Sequence, residues 1–295
     1  MVRARRLEKR QKAIRNIQKI TNTMALIATA RFKKAWNRAL AASEYLDGLR
    51  RLVEDLAQVG PALPHPLWEP IGQSHRVLLL VLGSNRGLCG GYNAAVVRHS
   101  MERLQQLQAE GWQVLVEVSG KRAGSALRFR QVPIQTVHSH LADRPQWEPV
   151  ELLAHRYLEE FRQGVWDRLE LVYTSSETVG RQRLKTATLL PLPRPEPAES
   201  QLALADPRAW DLYPSAEAIF EELLPRFFKV HLFVCFLQAA LSEQIARMFA
   251  MKTATENTEK MLRRLTLAHH RARQTQITAE ILEVLSGAEA LEQHR

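Results

Sequence analysis

The chain has 295 residues, 45% hydrophobic and 24% charged, with a formal net charge of +10. That composition is ordinary for a folded protein with a real core, and it excludes a low-complexity or disordered chain. Two cysteines, Cys89 and Cys235, exclude a disulfide framework and point to free thiols in a reducing compartment.

The basic N-terminus is followed by no apolar segment of signal-peptide type. The most apolar stretch, Phe227 to Leu241, is interrupted by Lys229 and His231 and is too short to span a bilayer. The expectation is a soluble protein without a membrane span of its own. Twelve Lys or Arg and one acid, Glu8, lie between Met1 and Arg38, so that segment carries about as much net positive charge as the whole chain. A polyanion or an acidic protein surface is the expected partner.

Residues 1–59 contain one glycine, Gly48, and no proline. Leu7, Ile14, Ile17, Thr21, Met24, Ala28, Ala35, Ala42, Leu46, Leu49 and Leu56 mostly step by three, four or seven. This narrow stripe predicts a helix with a coiled-coil seam. Pro61, Pro64 and Pro66 end it.

Residues 75–190 change character. Apolar β-rich runs at Val77–Leu82, Val114–Val118, Ile134–Val137 and Leu169–Tyr173 alternate with helical patterns at Ala94–Gln108 and Val150–Arg162. Alternating strands and helices predict a largely parallel α/β sheet, with Lys185–Leu190 at an edge. The proline-rich PLPRPEPAES that follows begins a linker over 191–214.

From Arg226 to Ser286 there is no glycine or proline in 61 residues. Such a helix would be roughly 90 Å long. Its expected seam includes Leu237, Leu241, Ile245, Met248, Met251, Thr255, Met261, Leu265, Ala268, Ala272, Ile281 and Leu285. A helix this long needs a partner helix or an enclosing assembly, and the N-terminal helix is the natural partner. The predicted architecture is an antiparallel coiled coil of the terminal helices, 1–59 and 215–291, with an α/β domain inserted between them.

VLLLVLGSNRGLCGGYN, residues 77–93, reads as a buried strand running into a glycine-rich turn. A dinucleotide fingerprint fails because Asn85 stands where the close-approach glycine belongs; a phosphate loop fails because Leu88 replaces its second glycine and no Lys-Ser or Lys-Thr follows. Gly87, Gly90 and Gly91 are expected to supply unusual dihedrals or close packing. His138 with His140, and His269 with His270, lack Cys or carboxylate neighbours at ligand spacing. Cys89 reads better as a small packed residue than as a thiolate nucleophile. No catalytic, cofactor or metal residues are assigned.

Four segments resemble the gamma subunit of F-type ATP synthases. RNIQKITNTMALIATARFKKA is similar to its Q-K-I-T-x-x-M helix, and NRGLCGGYN to its D-R-G-L-C-G-x-x-N. LSEQIARMFAMKTATENTEKM is similar to its S-E-x-x-A-R-M-x-A-M-x-x-A-T-x-N, and RARQTQITAEILEVLSGAEAL to its A-R-Q-x-x-I-T-x-E-x-x-E-I-x-x-G-A. Order and spacing fit over residues 3–291. Asn85 stands where the family usually has Asp, Asn22 replaces a usual Lys, and His270 a common Asn.

The resemblance implies a Rossmann-like domain that binds no nucleotide and a central rotor turned by the membrane c ring, which drives the catalytic beta subunits inside an alpha–beta hexamer. It implies alpha, beta and epsilon subunits and the c ring as partners, no cofactor, and a peripheral place on the cytoplasmic face of the bacterial inner membrane. Lys19, Thr21, Met24, Arg273 and Gln274 match positions of beta-subunit contact and coupling. Trp210 and Tyr213 match a region near the c ring. The alternatives are a basic helical nucleic-acid-binding protein and a small-molecule enzyme using the Gly83–Gly91 turn.

Overall fold

A computed structural model of the chain describes residues 2–59, 65–69, 74–178, 180–194, 213 and 215–292. Chain order is α1 (Val2–Val59), β1 (Arg76–Leu82), α2 (Tyr92–Ala109), β2 (Gln113–Ser119), α3 (Lys121–Phe129), β3 (Ile134–Val137), α4 (Trp147–Arg162), β4 (Arg168–Thr178), β5 (Arg181–Leu190) and α5 (Ala216–Glu292). Two compact units emerge: Met1–Ala28 with Arg247–Arg295, and Thr29–Ala246. Both long helices contribute to each unit, so the units do not coincide with boundaries at 59 and 215. Most of the expected linker lies outside the described residues. Of its described part, Leu192 is buried and donates its N–H to the Leu67 carbonyl at 2.7 Å.

In the Thr29–Ala246 unit the five strands lie in the order β3-β2-β1-β4-β5, all parallel except antiparallel β5 at the edge. Helices connect the parallel strands, as parallel pairing requires. β1 is apolar on both faces, and the pleat divides it. Leu78, Leu80 and Leu82 enter a core shared with Leu49 of α1, Tyr157 of α4 and Phe228 of α5. Leu79 and Val81 enter a second core with Val96 and Val97 of α2 and Leu127 of α3. The sheet is therefore a middle layer, and α1 and α5 help to cover one face.

That explains the apolar stretch Phe227–Leu241: it is core. α5 contains a window long and apolar enough, by composition, to cross a membrane, but most of that window is buried within the chain. α5 starts at Ala216, within one residue of the expected 215 and ten residues before the proline-free stretch from Arg226. Ser215 Oγ accepts the Ala218 N–H at 3.3 Å, a cap at the helix start. Pro225 lies inside the helix despite its missing donor. Burial of Phe220, Leu224, Phe227 and Phe228 around it outweighs that cost.

Each sheet face holds one buried carboxylate. Glu117 of β2 receives both terminal nitrogens of Arg156 on α4, at 2.9 and 2.7 Å, with Tyr157 Oη and His138 Nε2 each at 2.7 Å. Glu170 of β4 receives Arg103 of α2 through two bonds of 2.7 Å. Two parallel bonds fix direction as well as distance, so each pair pins one covering helix to the sheet.

In the other unit, three contacts define how α1 and α5 run. Gln11 bonds Thr266 at 3.1 Å, Gln18 bonds Glu259 at 3.3 Å, and the Thr21 and Thr255 hydroxyls meet at 2.9 Å. Numbers rise on one helix as they fall on the other, so the helices are antiparallel. The seam differs from expectation in its members. Gln11, not among those expected, is buried in it beside the expected Thr21, whereas Ile17, Met261, Ile281 and Leu285 are exposed. Residues 7, 11, 14, 18, 21, 25 and 28 are covered on α1 in alternating steps of four and three, with Met24 half-buried beside them. Its polar members satisfy one another, which apolar counting overlooks.

His231 of α5 has its pKa lowered to about 4, first by burial and then by the Arg50 charge. Its folded value lies below the ordinary 6.5, so the folded chain prefers the neutral ring. The stability this adds is whole above pH 6.5 and is lost as pH falls toward 4. Its Nδ1 is buried without a hydrogen-bond partner, so an apolar ring sacrifices no bond there. His231→Phe is expected to flatten the fall in urea midpoint between pH 7 and pH 4.5. An unchanged slope would remove His231 from the acid response.

Candidate functional site

The turn after β1 is at the point where strand order reverses, between β1 and its neighbours β2 and β4. Open α/β sheets commonly hold ligands at such points. Here the chain itself uses the space. Asn93 Oδ1 accepts the Ser84 N–H at 3.0 Å, and Ser84 accepts the Arg122 N–H on its carbonyl at 2.9 Å. Asn85 Oδ1 accepts the Lys121 N–H at 3.1 Å, while its amide donates to the Ser139 carbonyl at 2.7 Å. Tyr92, which opens α2, donates its hydroxyl to the Ala239 carbonyl of α5 at 3.2 Å, and Ser242 donates to the Thr174 carbonyl of β4 at 2.9 Å. α5 is thereby tied to both the turn and the strand beside it.

The glycine assignment needs correction. Gly90 has a positive φ of 58°, but Gly91 has φ −81° with nothing within 4 Å of an added Cβ. Gly87 would meet only the end of Arg122, at 4.0 Å. Leu88, not a glycine, takes the other left-handed position, at φ 63°. The glycines that geometry demands are Gly83, whose Cβ would overlap the Ala123 Cβ of α3, and Gly120, discussed below. Both mark places where the ends of β1 and β2 and the start of α3 approach closely.

Cys89 is buried in this turn, with Asn93 Nδ2 3.2 Å from its sulfur. Cys235 is also buried, and burial pushes its thiol up to about 12. His138 is engaged by Glu117, and its ring centre is 6.2 Å from that of His140. Among the described residues, no cluster of three or more His, Cys, Asp or Glu could hold a metal.

The residues that the resemblance matched to beta-subunit contact lie on the two-helix unit. Thr21 is buried against Thr255, Met24 is half-buried, and Lys19 is exposed. Arg273 and Gln274 are exposed on α5. They lie roughly 27 Å along the helix from Thr255, at 1.5 Å per residue, so the two groups form separate surfaces rather than one site. The Gln274 backbone carbonyl accepts the Thr278 hydroxyl at 3.0 Å. Tyr213 is 91% exposed; Trp210 lies outside the described residues.

The family model described as ATP synthase matches residues 3–291. An ATP synthase gamma chain of Rhodopirellula baltica is 46% identical over 295 residues, covering 99% of this chain and 100% of that one. Another, of Leptospira biflexa, is 34% identical over 292 residues with coverage of 99% and 100%. The fold also matches a solved chain of the Euglena gracilis mitochondrial ATP synthase assembly of OSCP, F1 and c-ring in rotational state 3. The TM-score is 0.67 at 17% identity, with 98% of this chain and 94% of that one covered. The chain belongs to the ATP synthase gamma-chain family. Membership leaves the nucleic-acid reading without support.

Proposed function

We propose that the chain is the central rotor stalk of an F-type ATP synthase, coupling ion flow through the c ring to ATP synthesis at the beta subunits. The observation that carries this reading is the full-length family match, ends included. The two-helix unit supports it physically. Its seam is narrow, and large apolar residues such as Ile20, Leu26, Leu267 and Leu282 remain outside it, as a shaft enclosed by other subunits would require. The chain itself performs no bond chemistry in this role; each rotor angle would stabilise a different conformation of each catalytic site. Alpha, beta and epsilon subunits and the c ring are the partners, and the place is the cytoplasmic face of the bacterial inner membrane.

Arg273 and Gln274 provide the test. Arg offers a rigid planar fork suited to a carboxylate on a beta-subunit loop, and Gln a neutral bond beside it. Such a charge-assisted contact is worth about 1.5–3 kcal/mol. Formed only at some rotor angles, it affects turnover more than assembly. Arg273→Ala with Gln274→Ala is expected to leave a complex of parental subunit composition that hydrolyses ATP several-fold more slowly. An unchanged rate in an intact complex defeats this assignment, and loss of the complex makes the pair structural. Failure of the parent chain to assemble with alpha and beta subunits would overturn the function itself.

A further inference from the structure

Within the Thr29–Ala246 unit, α1, the segment before α4, and α5 enclose a half-open cavity of about 230 Å³. Its walls are mostly apolar, formed by Ala35, Pro145, Leu237 and Ala240. Four cations also line it: Arg31, Lys34, Arg38 and Arg144. Against them stands one acid, Asp143, which is paired with Arg86 at 3.5 Å. Arg38 is held at the wall by donating to the Pro145 carbonyl at 2.9 Å, and its guanidinium keeps further donors.

The remaining wall residues are Gln146, which is exposed, and Gln244, only 5% exposed. The Gln244 Oε1 is buried without a hydrogen-bond partner. A buried acceptor left this way is unfavourable, and its neighbours Leu241 and Ile245 show that α5 buries apolar side chains here. An unanswered amide oxygen between apolar walls and a cationic rim is the pattern of a small-molecule site: apolar body, few polar groups, one charge.

We propose that this cavity binds a small amphipathic monoanion, an aromatic carboxylate that also carries a hydroxyl donor. The anionic group answers Arg31, Lys34, Arg38 and Arg144. The ring lies against Leu237, Ala240 and Pro145, and the hydroxyl donates to Gln244 Oε1. Size agrees: an apolar cavity of roughly 150 Å³ holds benzene, so this one has room for a ring with two substituents. The site does not depend on the rotor role.

The probe is 4-hydroxybenzoate, titrated into the assembled complex and followed by saturation-transfer NMR. Saturable binding in the millimolar range or tighter is expected. Benzoate, lacking the donor, and phenol, lacking the charge, should each bind at least fivefold more weakly. Lys34→Glu with Arg144→Glu, both exposed positions, should weaken 4-hydroxybenzoate at least tenfold. Gln244→Leu should reduce 4-hydroxybenzoate to the level of benzoate and leave benzoate unchanged. If that variant fails to assemble, the charge-reversal pair and the ligand series decide alone. No saturable binding to the parent complex overturns the proposal, as does binding indifferent to charge reversal or equal affinity for all three ligands.

Discussion

Gly120→Ala is expected to destabilise the Thr29–Ala246 unit by about 3–5 kcal/mol, from two penalties that act at one atom. Gly120 has φ 106° and ψ 125°, a region that side-chain-bearing residues rarely adopt, and holding one there costs about 1–3 kcal/mol. The added Cβ would also stand 2.6 Å from the Gly83 carbonyl carbon, 2.7 Å from its oxygen and 2.8 Å from the Ser84 nitrogen. These are backbone atoms in a buried turn, so no side chain can swing away. Overpacking of this kind typically adds about 1–3 kcal/mol. The sum is a large part of the roughly 5–15 kcal/mol that holds a domain folded. In urea the midpoint should fall by about 1 M or more, taking a slope near 3 kcal/mol per molar. Gly91→Ala is the control, because φ −81° and open space predict almost no change. Gly83→Ala tests the same crossing from the other side. Its clash is with the Ala123 Cβ, so adding Ala123→Gly should restore much of the loss. Equal midpoints for the Gly120 and Gly91 variants would show that the crossing is loose enough to yield.

The legibility of the chain follows from whether a residue's reason lies nearby in sequence. β1 could be read because RVLLLVL is apolar at both parities, which only a strand buried on two faces needs. α3 could not: KRAGSALRF is nine residues with an interior glycine, too short for periodicity to stand out. Gly83 and Gly120 were missed because their constraint is mutual approach across 37 positions of chain, while Gly87, Gly90 and Gly91 drew attention by clustering. Gln11 and Gln18 were missed in the seam because their partners, Thr266 and Glu259, are more than 240 residues away. Pro225 made the uninterrupted helical stretch look as if it began at Arg226, although the C-terminal helix as a whole was placed at 215–291; local propensity carries no record of the core that Phe220 and Leu224 enter. For Arg273 and Gln274 the reading came from family resemblance alone; exposed residues on a long helix leave no pattern that distinguishes a contact from a solvated surface.

Glu117 was also legible in principle, as the one charge inside the apolar strand QVLVEVS. Glu117→Gln should cost about 3–5 kcal/mol, the usual loss when one member of a buried ion pair is removed. Burial alone would raise its pKa, but the bonds from His138, Arg156 and Tyr157 overcome that and lower it to about 2 from 4.5. The carboxylate is therefore the form the fold requires. A neutral amide offers Arg156 one acceptor instead of two and turns an N–H₂ group toward three donors. Tyr157 is fully buried and has no water to replace the lost bond, whereas Arg156 is partly exposed and recovers some solvation, which places the cost toward the lower bound. The pH dependence gives a second readout. A folded value below the unfolded one means that the contribution is complete above pH 4.5 and is lost as pH falls toward 2. A shift from 4.5 to about 2 corresponds to about 3 kcal/mol across that window. This window lies below most of the one assigned to His231, so the two can be separated. In the Glu117→Gln variant the urea midpoint should start lower at pH 7 and then decline less between pH 4.5 and pH 2.5 than in the parent. A variant as stable as the parent at pH 7, with the same acid slope, would mean that α4 is held to the sheet by its apolar face of Val150, Ala154, Tyr157 and Phe161, with the charge network contributing nothing measurable.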